Sequence, residues 1–423
     1  MSDKIRVLWI CHFSTEEIRN CIEFTSRYSS CKIPDFGIWN VNAIKQFEKC
    51  EDIELYVVFP HLGMKNRYQE FSLNGIHYIC FKSEDDHLFA RIIRKIFKYQ
   101  FTSFRKNRKF ISSIINRVKP DIVHIIGAEN PYYSLGALEV PDSIPCVVSL
   151  QTLMVAPDFL TNYPISQKLY EYRVKVEKMV INKATYIATS IDSFRKGIIE
   201  LIKKDAVFLN MDLAMGKDID ASETEKEYDF VYFAKNINKA CDYAIEAFAI
   251  ALSVHPGLTL NISGDYDYEY KSVLDNRIKE LDISDNVFFT GPKDTHGEVI
   301  SQIKKSKFAL LPLKVDFIST TILEAMACGL PVITTITPGT PSLNLKRESV
   351  LLSEKGDFEA MADNMLKVVN NNMYANELRR NSFETINESY SNKAITSRWK
   401  QAYHAIVENI HNGTPIPREI ISF

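Results

Sequence analysis

The chain has 423 residues, a formal charge of −2 from 51 Lys+Arg against 53 Asp+Glu, and 46% hydrophobic residues. At roughly 100–200 residues per domain this means two domains, or three small ones, of ordinary soluble composition, which excludes a disordered chain, a collagen and a coiled coil. The near-neutral balance supplies no global field for nucleic acid, and no run of ~18 apolar residues could cross a membrane, so a cytoplasmic protein that does not bind nucleic acid is expected.

Short apolar, β-branched runs alternate with stretches of helical period, the pattern of a parallel sheet covered by helices on both faces. In the first half the predicted strands are Val7–Ile10, Leu55–Phe59, His77–Phe81, Ile122–Ile126, Cys146–Leu150 and Tyr186–Ala188. A long loop from His12 to Pro34 leads into Asp35-Phe36-Gly37-Ile38-Trp39-Asn40. Residues 89–110 carry Arg91, Arg94, Lys95, Lys98, Arg105, Lys106, Arg108 and Lys109 with no acid, interleaved with isoleucines and phenylalanines. Such a basic amphipathic helix can lie on an anionic membrane surface, or simply pack its apolar face on the domain. The strand Ile122–Ile126 ends in Gly127-Ala128-Glu129-Asn130, where His124 or Glu129 could orient a substrate hydroxyl, and Gln151 is similarly placed after the next strand. For His124 the competing reading is a satisfied histidine beside a strand.

The acidic stretch Asp218–Asp229 has few apolar residues and reads as a linker. Beyond it the predicted strands are Phe230–Phe233, Thr259–Ile262, Val287–Phe289, Phe308–Leu311, Val332–Thr334 and Val350–Leu352, followed by a long apolar-periodic segment, Ala394–Ile410. The expected domains are therefore 1–215, 216–390, and a helix and tail at 391–423 that packs back toward the first. Open parallel sheets bind ligands at the carboxyl ends of their strands, so two doubly wound, Rossmann-like sheets facing each other should hold the active site in the cleft between them.

The eight cysteines include no CxxC pair and no Cys/His cluster of ligand spacing, so neither a disulfide scaffold nor a zinc site is expected. Asp265-Tyr266-Asp267 and Asp218-Ile219-Asp220 have a DxD spacing, but such triplets arise by chance and no required metal is expected.

The stretch from Leu311 to Thr335 is the most informative. A strand runs into a loop holding Asp316, a helix opens near Ser319 or Thr320, and it stops at Gly329 before Leu330-Pro331. Helix N-termini offer unpaired N–H groups and partial positive charge, so with the hydroxyls of Ser319, Thr320 and Thr321 a phosphate fits there. Asp316 and Glu324 would then present acceptors at graded depth, which suits a polyol better than a metal.

The sequence Asp316 to Glu324, continued by Ala-Met-Ala-Cys-Gly-Leu-Pro-Val, resembles the E-x7-E signature of the retaining GT-B glycosyltransferases of family 4, whose usual form reads EGFG and then LEAMACGLPV. It departs from that form in having Asp316 for the first Glu, and Phe317 and Ser319 for the two glycines. The resemblance implies that Asp316 contacts a donor sugar and Glu324 the nucleotide ribose. The run Ala234-Lys235-Asn236-Ile237-Asn238-Lys239 is similar to the family's Gly-Arg-x-x-x-x-Lys-Gly turn, implying that Lys235 and Lys239 stabilise the departing diphosphate without a metal. Gly37, Gly264 and Lys293 fall at the family's glycine turns near the donor. The first domain would hold the acceptor, with His124, Glu129 and Gln151 as candidates, although the family's second imidazole is here Ile126.

The expectation is thus a GT-B enzyme transferring a sugar from a nucleotide diphosphate donor to a saccharide or lipid-linked saccharide acceptor, with no cofactor, in bacterial surface or capsular polysaccharide assembly. It would be peripheral at the inner face of the membrane if the basic segment is used. The alternatives are an inactive nucleotide-sugar-binding or scaffolding protein of the same fold and a GT-B nucleotide-sugar epimerase. A dinucleotide oxidoreductase is disfavoured because no GxGxxG opens either half.

Overall fold

The computed structural model describes residues 4–29, 35–84, 103–156, 165–211, 219, 224–236, 240–314 and 318–421, apart from the side chains of Arg27, Ser29, Lys235 and Asn236. The chain forms two units, one of Met1–Met215 with Asn392–Phe423 and the other of Gly216–Ser391.

The first unit holds an eight-stranded sheet of order β3-β4-β2-β1-β5-β6-β7-β8. Its strands are β1 (Ile5–Ile10), β2 (Ile53–His61), β3 (Tyr68–Leu73), β4 (Ile76–Lys82), β5 (Ile122–Ile126), β6 (Cys146–Ser149), β7 (Tyr186–Ala188) and β8 (Phe208–Leu209). Neighbours run parallel except β3 against β4. Every residue of β5 and β6 is buried, as expected of central strands covered on both faces. The antiparallel edge strand β3 was not predicted. Its hairpin turn is Asn74-Gly75, both at positive φ (52° and 82°), the geometry that favours an Asn-Gly pair.

The second unit holds six parallel strands in the order β11-β10-β9-β12-β13-β14. They are β9 (Tyr228–Asn236), β10 (Leu260–Asp265), β11 (Val287–Phe289), β12 (Ser306–Leu310), β13 (Val332–Thr335) and β14 (Val350–Ser353). The helices used below are α1 (Ile38–Lys45), α2 (Arg105–Val118), α3 (Gln167–Lys183), α4 (Cys241–Val254), α5 (Tyr268–Glu280), α6 (His296–Ile303), α7 (Thr320–Ala327) and α8 (Asn392–Asn412).

Helix α8 follows the second unit in sequence but packs in the first. Ile395, Trp399, Ala402, Tyr403 and Ile406 recur at helical spacing and are buried in the same core as Trp9 and Phe47. The rings of Trp9 and Trp399 meet edge-on at 5.2 Å. Lys400 Nζ donates to Gln46 O at 3.0 Å. Just after β8, Asn210 N donates to Ile420 O.

Two expectations are corrected. The linker does not extend to Asp229, because Tyr228 and Asp229 already belong to β9 and the Asp229 carboxylate accepts from Thr259 N and Oγ1. The stretch after His12 contains helical turns at Glu16–Asn20 and Ser26–Ser29 rather than one long loop. Of the basic segment expected to meet an anionic membrane surface, residues 89–102, with Ile92, Ile93, Ile96, Phe97 and Phe101, lie outside the described residues; residues 105–110 open α2, which buries Ile111, Ile114, Ile115 and Val118 in the protein. Arg108 pairs with Glu139 at 2.5 Å. Among the described residues no helix is long and apolar enough to cross a membrane.

Candidate functional site

In the second sheet the strand order reverses between β9 and β12, and open α/β sheets bind ligands outside the carboxyl ends of strands at such a point. Helix α4 follows β9, and α7 follows β12. Between them, Lys314 Nζ lies 2.5 Å from Asp242 Oδ2 and 4.8 Å from the Tyr243 ring centroid, while Tyr270 OH donates to Asp242 Oδ1 at 3.2 Å. The pair is about one-third exposed on each side, so it contributes ~1 kcal/mol or less to stability. Its importance is positional, since it ties the exit of β12 to the first turn of α4. The backbone leading to Lys314 is held from β13: Thr335 Oγ1 accepts from Leu313 N at 2.8 Å and donates to Leu313 O at 2.6 Å.

Ser319 precedes α7 in an extended conformation, and its hydroxyl bonds to Thr321 Oγ1 at 2.8 Å instead of capping a backbone N–H. Ile322 N bonds to Ser319 O, so the N–H groups of Thr320 and Thr321 have no intrahelical acceptor and carry the positive end of the helix. Glu324 stands one turn further in. Its Oε1 is 2.8 Å from His296 Nε2, at the start of α6, and its side chain is 14% exposed.

Lys235 lies in β9 with its side chain outside the described residues; Lys239 and Asp316 lie outside them altogether. Gly264 has φ +149° in β10 beside Ala234 of β9, and its N–H donates to Gly291 O. Lys293 spends its ammonium on Thr290 O at 2.8 Å. The Asp265-Tyr266-Asp267 triplet is used locally: Asp267 accepts from Tyr270 N and caps α5, while Asp265 accepts from Tyr266 N. Among the described residues no group of three or more His, Cys, Asp or Glu is placed to hold a metal ion.

In the first unit, Gly37 starts α1 at φ +65°, and a Cβ there would come within 2.5 Å of His12 O, so the turn presses on the carboxyl end of β1 in a way only glycine permits. His124 is corrected as an acceptor-side candidate. It is fully buried, with Nδ1 2.6 Å from Tyr403 OH and Nε2 2.7 Å from Ser149 Oγ, so neither ring nitrogen is left for a substrate. Glu129 is nearly buried at 6% exposure, and burial pushes its carboxyl above the ordinary value. Asn130 donates to its Oε1, and Oε2 has no partner among the described residues. Gln151 is half-buried and donates weakly to Ile126 O at 3.4 Å.

Sequence reasoning passed over Lys314, Asp242 and His296, and also Glu177 in α3. The fully buried Glu177 carboxylate accepts from Met154 N (2.8 Å) and Val155 N (3.0 Å), fixing the turn after Gln151. Desolvation raises it from 4.5 to about 8, against the pull of those two bonds. Between these limits the folded chain holds a proton that the unfolded chain releases. Stability therefore falls as pH rises through that window, at ~1.4 kcal/mol per pH unit. Glu177→Gln is expected to flatten the fall in thermal midpoint between pH 5 and pH 8; a variant that loses as much as the wild type over that range contradicts this account.

Residues 215–385 match the family of glycosyl transferases group 1. The chain is 26% identical over 211 residues to the N-acetyl-alpha-D-glucosaminyl L-malate synthase of Bacillus anthracis, covering 49% of this chain and 53% of that relative, so it spans about half the length of a curated protein it matches. Among solved structures it is similar to sucrose-phosphate synthase from Thermosynechococcus elongatus, with TM-score 0.64 and 14% identity over 95% of this chain and 98% of that one. It is also similar to Anabaena Alr3699/HepE in complex with UDP, with TM-score 0.61 and 14% identity over 95% and 100%. These likenesses establish the fold as that of the GT-B glycosyltransferases.

Proposed function

We propose that this chain, a member of the glycosyl transferases group 1 family through residues 215–385, is a retaining glycosyltransferase that moves a sugar from a nucleoside diphosphate donor to an acceptor hydroxyl. The supporting observation is the Lys314–Asp242 contact across the reversal of strand order, which brings the segments flanking Lys239 and Asp316 together at the carboxyl ends of β9 and β12, the strands that α4 and α7 follow.

In this reading the donor diphosphate lies at the N-terminus of α7, with Thr320 and Thr321 N–H and the nearby hydroxyls as donors. As the glycosidic bond breaks, the leaving oxygen gains negative charge, and Lys235 and Lys239 neutralise it as two point charges. Asp316 holds the donor sugar and Glu324 the ribose. Gly37, Gly264 and Lys293 shape the donor's surroundings, with Glu129 and Gln151 on the acceptor side. A role in bacterial surface or capsular polysaccharide assembly, on a saccharide or lipid-linked saccharide, rests on the family resemblance, as does action at the inner face of the membrane.

Thermal-shift measurements against UDP-, GDP- and ADP-sugars test the donor, because binding raises stability as RT ln(1 + [L]/Kd). One donor class is expected to raise the midpoint and to release free nucleoside diphosphate when acceptors are added. No shift with any donor overturns the proposal; binding without turnover across an acceptor panel favours a binding protein instead.

A further inference from the structure

His296 sits where a rigid element can present it. It is the first residue of α6, and the turn before it is locked by reciprocal bonds: Thr295 Oγ1 accepts from Glu298 N at 3.3 Å, while Glu298 Oε2 accepts from Asp294 N and Thr295 N, each at 3.1 Å. From that position Nε2 reaches Glu324 Oε1 at 2.8 Å, joining two helices that flank β12. A carboxylate can only accept, so Nε2 carries the proton in this contact. No second bond to the Glu324 carboxylate occurs among the described residues, which leaves Oε2 with its acceptor capacity unspent on the protein.

A glutamate on a helix surface has three rotatable side-chain bonds, and one that must receive hydroxyl groups at a fixed place gains from losing that freedom before the ligand arrives. We infer that His296 is a positioning residue that pins one oxygen of Glu324 so that the other is held ready for a ribose hydroxyl, making the site selective for ribonucleotides. The inference rests on the ribose role proposed above for Glu324. His296 does not touch the ligand; it acts through the carboxylate.

The test is the ratio of affinities for ribo- and 2′-deoxyribonucleoside diphosphates, measured by calorimetry with UDP, GDP, ADP and CDP and their 2′-deoxy counterparts as probes. The wild type should prefer the ribo form of its best ligand at least tenfold. His296→Ala should cut that preference below about threefold, while His296→Gln, whose amide can still donate, should restore most of it. A brace that merely joins two helices would lower the thermal midpoint of His296→Ala without moving the ratio, and that result overturns the inference.

Glu324→Ala separates the two layers of argument. If it abolishes the preference while His296→Ala keeps it, the ribose reading stands and the role given to His296 falls. If Glu324→Ala keeps the preference, or no nucleoside diphosphate binds, the ribose reading itself falls. Should His296→Ala fail to fold, the same ratio is read in His296→Asn, whose shorter amide cannot span the distance.

Discussion

Acidification from pH 7 to pH 4 is expected to destabilise the first unit by about 3 kcal/mol through His124 alone, at ~1.4 kcal/mol per pH unit below the ordinary histidine range. The imidazole is fully buried, and desolvation lowers it from 6.5 to about 3. Over that interval the unfolded chain takes up a proton that the folded chain refuses, so stability is intact above about 6.5 and is lost as the pH falls. The surrounding bonds favour the neutral ring as well. Trp9 Nε1 donates to Tyr403 OH at 2.9 Å, so the phenol is free to donate its own proton to Nδ1, and Nε2–H then donates to Ser149 Oγ. Protonating Nδ1 would remove that acceptor.

His124→Gln should be weaker than the wild type at pH 7, by ~1–3 kcal/mol for each partner left unsatisfied, but should lose less on going to pH 4. Denaturant unfolding at the two pH values checks both statements. Equal acid sensitivity in variant and wild type would falsify the role assigned to the imidazole.

Replacing Lys239 or Lys235 by Ala is expected to lower kcat by 10²–10³-fold, with a smaller change in donor KM, because charge on the leaving diphosphate is greatest in the transition state. The double variant should lose less than the product of the two, since both cations act on the same group. The measurement is steady-state release of nucleoside diphosphate. If each single variant keeps kcat near the wild-type value, the leaving group is stabilised elsewhere, and Lys314 becomes the first cation to examine.

The central strands were legible because they are continuous apolar runs. Ile122–Ile126 and Tyr186–Ala188 have the bounds read from sequence, and α8 follows the spacing of Trp399, Tyr403 and Ile406. Strand β3 was not read, since Tyr68–Leu73 alternates exposed and half-buried residues with polar side chains, although the Asn74-Gly75 pair after it was an available hairpin signal. The start of β9 was hidden by composition. Asp229 looks like linker until Thr259 and Lys307 supply its partners.

For the site, a local motif placed Ser319 to Glu324 because helix start, acid and stop all lie within one short stretch. His296 and Lys314 were illegible for the opposite reason. Their partners are 28 and 72 positions away in the chain, and no spacing rule connects a histidine after one strand with a glutamate after the next. Likewise, the strand end that suggested a catalytic His124 could not reveal Tyr403, which arrives from 279 residues later.

That late arrival bears on how the molecule is made. Trp399 and Tyr403 are made after the whole of Gly216–Ser391, so Trp9, Phe47 and His124 lack their covering while that unit is synthesised, whereas Gly216–Ser391 can close its own core as soon as it emerges. The usual order of vectorial folding, first-made domain first, is thereby inverted in its final step. The nascent first half has a stretch of translation during which its exposed aromatic surface is a target for chaperones.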